Sequence, residues 1–108
     1  MTIGESRARL PNRRPAETFE LTVARLRYTA TVGRFADGRV GEIFLTNHNK
    51  SNSPADSAAR DSAIVFSIAI QSGADVESIR KALCRDGRGS ASGPLGAVLD
   101  RLAEEDGL

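Results

Sequence analysis

The periodicity of the chain changes once, and the change sits in a short polar segment. Before it, apolar residues recur every second position; after it, they recur at helical spacing. Thr18–Val23 alternates Phe19, Leu21 and Val23 with Glu20 and Thr22, the signature of a strand with one buried face. Arg27–Phe35 is rich in β-branched and aromatic residues and reads as a second strand. Ala36-Asp37-Gly38-Arg39 follows, where Asp-Gly supplies the positive φ of a tight hairpin, and Val40–Thr46 is the third strand. Thr46–Ser53 is polar throughout. Ser53-Pro54-Ala55-Asp56 then opens a helix, with Ser as N-cap, Pro at the first helical position and an acid at N3.

This first helix runs to about Ser72 and stops at Gly73. Its second half, Ala63 to Ile70, is apolar almost all round, which predicts a central helix contacted on more than one side. Asp75 caps a second helix carrying Val76, Ile79 and Leu83, and Pro94 opens a third with Leu95, Val98, Leu99 and Leu102 on one stripe. The expected fold is α+β, a three-stranded antiparallel meander followed by three helices. Residues 16–108 form one domain; residues 1–15, with Arg7, Arg9, Arg13, Arg14 and no periodicity, read as a disordered basic arm.

With 108 residues, one Cys and one His, the chain has no material for a disulfide framework or an ordinary zinc site. Neither a catalytic constellation nor a cofactor or metal site is expected. Cys84 reads as a half-buried structural thiol and His48 as a loop residue. No run of about 18 apolar residues exists to span a membrane, and the start of the chain lacks the apolar stretch of a signal peptide, so a cytoplasmic protein is expected.

The net charge of +1 is unevenly spread: residues 1–50 hold nine Lys/Arg against five Asp/Glu, and residues 51–108 hold six against nine. Three groups of residues merit attention. In the polar segment, Asn49, Lys50, Ser51, Asn52 and Ser53 lead into a helix start, where free N–H groups and the helix dipole attract anions. That segment is either an anion- or partner-binding site or a plain helix cap beside a solvated lysine. Arg80, Lys81, Arg85 and Arg88 are either a basic patch or cations complementing the end of the second helix. Arg25, Arg27, Arg34 and Arg39 on the sheet, with the basic arm, offer a nucleic-acid surface, Arg25, Arg27 and Arg39 sharing one region across the hairpin. The two outer strands, Thr18–Val23 and Val40–Thr46, leave edges through which a homodimer can pair.

Four segments in order carry a family likeness. They are Gly41-Glu42-Ile43-Phe44-Leu45, Asn49-Lys50-Ser51-Asn52-Ser53, Phe66 to Gly73 with Val76-Glu77-Ser78-Ile79, and Ala91-Ser92-Gly93-Pro94-Leu95. Through them the stretch from Tyr28 to Leu102 resembles the TSCPD domain, the small module near the C-terminus of vitamin-B12-dependent (class II) ribonucleotide reductases, which also occurs as free-standing bacterial proteins. The second segment is similar to the family's Gly-Lys-Ala-Gly-Ser, keeping Lys50 and Ser53. The last falls where the Thr-Ser-Cys-Pro-Asp motif would lie and keeps only Ser92 and Pro94. The motif's Cys and Asp are replaced by Gly93 and Leu95, so a thiol or carboxylate role there is lost. The resemblance implies a non-catalytic accessory module linked to DNA replication, binding a protein partner such as a ribonucleotide reductase, or a nucleotide-like anion at Asn49–Ser53. A small nucleic-acid-binding or regulatory protein is the alternative.

Overall fold

The computed structural model describes residues 7–48 and 53–107. Three strands, β1 (Ala16–Val23), β2 (Leu26–Arg34) and β3 (Val40–Asn47), precede three helices, α1 (Pro54–Gln71), α2 (Val76–Ala82) and α3 (Pro94–Glu105). The strands form an antiparallel sheet in the order β1-β2-β3. The α+β meander read from the residue pattern is therefore the fold.

Alternation fixes the two faces of the sheet. Phe19, Ala30 and Leu45 stand side by side across the strands, as do Glu17, Val32 and Ile43. Along that face Ala30, Val32, Ile43 and Leu45 are buried against Ala59, Ala63, Phe66, Val98, Leu99 and Leu102 of the helices. The opposite face carries Thr18 hydrogen-bonded to Thr31, and Glu20 paired with Arg27 at 2.9 Å.

Helix α1 covers the sheet in an unusual way, by hydrogen-bonding the free edge of β3. The outward backbone groups of an edge strand recur every second residue. Here Gln71 Nε2 donates to the Gly41 carbonyl at 2.9 Å, and Ser67 Oγ accepts from Ile43 N–H at 2.9 Å. Asp56 Oδ1 accepts from Asn47 N–H at 3.0 Å. Positions 56, 67 and 71 lie on one helical face, so one stripe of α1 satisfies the strand. Of the two edges expected to be open for pairing, β3's is thus occupied by the chain itself, and β1 is the strand with a neighbour on one side only.

The expectation that α1 is enclosed on several sides is corrected. Phe66 and Ile70 are buried, but Ile64 is 54% and Val65 67% exposed. The molecule has one sheet layer and one helix layer, and α1 lies at the edge of the helix layer, so its outer side has nothing to pack on. Cys84 is likewise exposed rather than half-buried, because it follows the last turn of α2 where the chain leaves the core.

Turn chemistry behaves largely as read. Gly38 takes φ +92° in the β2–β3 connection, and Gly73 takes φ +102° just beyond α1. The β1–β2 connection gives no such signal: Ala24 and Arg25, with φ +51° and +67°, adopt the left-handed conformation without glycine.

Residues 7–15 fall within the stretch expected to be a disordered arm, and they are docked on the domain. Leu10 packs against the core, and Ala8 N–H donates to the Gln71 carbonyl. Arg14 pairs with buried Glu42. Gly41 makes this possible: it is the extra residue of a β-bulge, and a Cβ there would sit 2.5 Å from Leu10 Cδ2.

Candidate functional site

The start of α1 is built as the sequence predicts. Ser53 is the N-cap, its Oγ accepting from Asp56 N–H at 3.1 Å, and Pro54 begins the helix. Asn49, Lys50, Ser51 and Asn52 lie outside the described residues. What the sequence does not foretell is the depth of Asp56, which is 1% exposed. Besides Asn47 N–H, its carboxylate accepts from Arg60 Nε at 2.9 Å. The positive end of α1 therefore already faces a carboxylate of its own chain, which lowers its attraction for a second anion.

The four sheet arginines do not share a surface. A meander puts successive turns at opposite ends, so Arg25 and Arg27 lie at one end of β2 and Arg34 and Arg39 at the other, about 25 Å apart by strand rise. The expected common region for Arg25, Arg27 and Arg39 is absent for that reason. Three of the four are also paired within the chain. Arg27 binds Glu20, Arg34 binds Glu17 at 3.0 Å, and Arg39 binds Asp37 at 2.7 Å while lying 4.9 Å over the Phe35 ring. Hydrogen bonds from Arg39, backbone first and then side chain, hold the Asp37 carboxyl below the usual range.

Arg80 and Arg85 form a clamp instead of a basic patch. Arg80 bridges Glu77 at 2.7 Å and Asp100 at 3.1 Å; Arg85 grips both Asp100 oxygens at 2.7 Å each. The Asp100 carboxyl is held below its ordinary range, chiefly by Arg85 and then by Arg80. These bonds join α2 and the following loop to α3. Lys81 and Arg88 remain exposed.

The feature that sequence reading misses is a cavity of about 300 Å³ between the first turns of α1 and the start of α3. Its walls include Tyr28, Ala55, Ala59, Cys84, Gly93 and Pro94. Small residues at helical spacing (Ala55, Ala58, Ala59 and Ser62) leave the α1 wall shallow, and this spacing was the available signal. Ser92 N–H donates to the Cys84 carbonyl at 2.9 Å, which holds Cys84 beside the Gly93-Pro94 helix start. Gly93 caps α3 without a side-chain hydrogen bond. Among the described residues, no group of three or more His, Cys, Asp or Glu is placed to hold a metal ion. No helix of the described residues is long and apolar enough to cross a membrane.

The chain is 35% identical over 75 residues, 69% of its length, to a vitamin B12-dependent ribonucleotide reductase of Agrobacterium fabrum. The matched part is 6% of that reductase, so the chain spans a small fraction of its relative. No family model and no solved structure matches. The similarity, set beside the α+β fold, relates this chain to one short region of a ribonucleotide reductase.

Proposed function

We propose that the chain is a non-catalytic accessory module of the TSCPD type that docks on a protein partner of the ribonucleotide reductase class. The observation that carries this reading is the extent of the match: over two-thirds of this chain corresponds to 6% of a much larger reductase. A segment of that size supplies a small packed unit, not a radical enzyme with its substrate pocket. The uncovered apolar side of α1, with Ile64 and Val65, is the face we assign to the partner.

A nucleotide-like anion at Asn49–Ser53 is the competing form of the reading, and buried Asp56 at the same helix start weighs against it. Both are tested together. The protein is immobilised and offered a purified B12-dependent ribonucleotide reductase, and its thermal midpoint is measured with and without nucleoside diphosphates. The expected result is capture of the reductase, weakened by Ile64→Asp with Val65→Asp, and an unchanged midpoint. Absence of capture overturns the docking reading, and a midpoint raised by nucleoside diphosphate replaces it with the anion site.

A further inference from the structure

We infer that the free edge of β1 is a self-association site, where β1 of a second copy of this chain adds antiparallel about a two-fold axis through Phe19. This does not rest on the docking reading above, because Ile64 and Val65 lie on α1, which flanks the sheet at the opposite edge, along β3. The two edges are treated differently. Gln71, Ser67 and Asp56 of α1 close β3. β1 lacks the proline, lysine and bulge that ordinarily blunt an edge: its 8 residues contain none of them and pair with β2 in unbroken register. Arg34 N–H donates to the Pro15 carbonyl at 3.2 Å, which fixes the phase of that ladder. Odd-numbered residues of β1 turn their backbone groups to β2, and Ala16, Thr18, Glu20 and Thr22 turn theirs outward. All of these outward residues are exposed.

Such a row of backbone groups accepts an extended strand, and charge and register favour a second β1. Glu17 and Glu20 are already paired within the sheet, with Arg34 at 3.0 Å and Arg27 at 2.9 Å. The edge therefore holds no unneutralised acid to select a basic segment of another protein. Because the outward groups belong to even-numbered residues, two copies bond only where even residues face even residues. A register with Glu20 opposite Glu20 of the second copy sets like charges face to face. The register centred on Phe19 avoids this and engages every outward residue. It puts Thr18 opposite Glu20 of the second copy, and Ala16 opposite Thr22. The Thr18 hydroxyl, bonded to Thr31 at 3.0 Å, then stands beside a carboxylate acceptor. On the helix-covered face, Phe19 and Leu21 are half-buried at the margin of the core. In this register Phe19 meets its own copy at a position without ladder hydrogen bonds, where facing side chains come closest. Above the axis, Arg101 lies 3.9 Å over the Phe19 ring and pairs with Glu105 at 3.3 Å, so the rim carries both signs of charge.

The test is sedimentation equilibrium of the full chain, with hydrogen exchange to locate the contact. The mass is predicted to rise from 11.5 kDa toward twice that value at concentrations below about 1 mM. As it rises, the amides of Thr18, Glu20 and Thr22 gain protection, whereas those of Phe19 and Leu21, bonded to β2, are protected throughout. Thr18→Glu places a carboxylate opposite Glu20 of the second copy at both symmetric sites and weakens the dimer by about 2- to 30-fold. Adding Glu20→Thr exchanges the two residues and restores the dimer. A chain still monomeric at about 1 mM overturns the inference. So does a dimer in which the Thr18, Glu20 and Thr22 amides stay unprotected, or one that Thr18→Glu leaves unweakened. Protection of those amides by added ribonucleotide reductase but not by concentration gives the edge to a foreign strand and overturns it as well. Should Thr18→Glu not fold, the alternation of amide protection in the unsubstituted protein decides alone.

Discussion

Ser67→Ala removes the hydroxyl by which α1 holds the middle of the β3 edge. In the native protein Oγ accepts from Ile43 N–H at 2.9 Å, and its one proton is shared between the carbonyls of Ala63 at 2.8 Å and Ile43 at 3.2 Å. The carbonyls lose an extra contact, but the amide loses its partner in a part-buried position. Leaving such a donor unsatisfied costs about 1–3 kcal/mol. Alanine is the better helix former and returns up to about 0.7 kcal/mol. The net loss is therefore about 0.3–3 kcal/mol, and each kcal/mol lowers the thermal midpoint of a domain of this size by about 4 °C or more. Urea denaturation with an unchanged m-value measures the loss, and hydrogen exchange locates it, with the Ile43 amide exchanging about tenfold faster for each 1.4 kcal/mol lost. A variant no less stable than the parent, with the Ile43 amide still as protected, refutes the claim that α1 side chains close this edge.

Two further changes follow from turn and charge geometry. Arg25→Gly relieves a left-handed residue at φ +67° and raises stability by about 0.5–1 kcal/mol in urea denaturation, whereas a loss would show that the turn is unstrained. Asp100→Asn acts through pH. Because Arg85 and Arg80 depress the folded carboxyl, its contribution is fully present above the ordinary aspartate value of about 3.9 and is lost as pH falls through the lower folded value. The variant is less stable at neutral pH and shows a shallower decline below about pH 4. Parallel acid profiles for the two proteins contradict this assignment.

The local devices of the fold were legible in the residues. Phe19, Leu21 and Val23 announce a strand, Asp37-Gly38 a turn, Ser53-Pro54 and Asp75 helix starts, and Gly73 a stop, because each depends on a few neighbouring residues. Relations between distant segments were not legible. Hydropathy describes α1 but not how many layers surround it, so Ile64 and Val65 read as core although no second layer covers them. The cavity draws on residues near 28, 55–62, 84 and 93–96, which no window of sequence brings together. The seat of Leu10 depends on a missing Cβ at Gly41, and a missing group leaves little trace in a hydrophobic pattern. Sequence places Asp56 as an acid at the positive helix end; that it also accepts from Asn47 N–H and lies buried is a tertiary fact. The number of arginines is plain in the sequence, but which end of the sheet each one occupies follows from the alternation of turn ends.

The most direct test of the accessory-module account uses a B12-dependent ribonucleotide reductase from which the segment matching this chain has been deleted. Titration calorimetry of this protein into the truncated reductase is predicted to give a saturable one-to-one complex, weakened by Ile64→Asp with Val65→Asp. No heat of binding to the truncated or the intact reductase, with both proteins folded, would contradict the account.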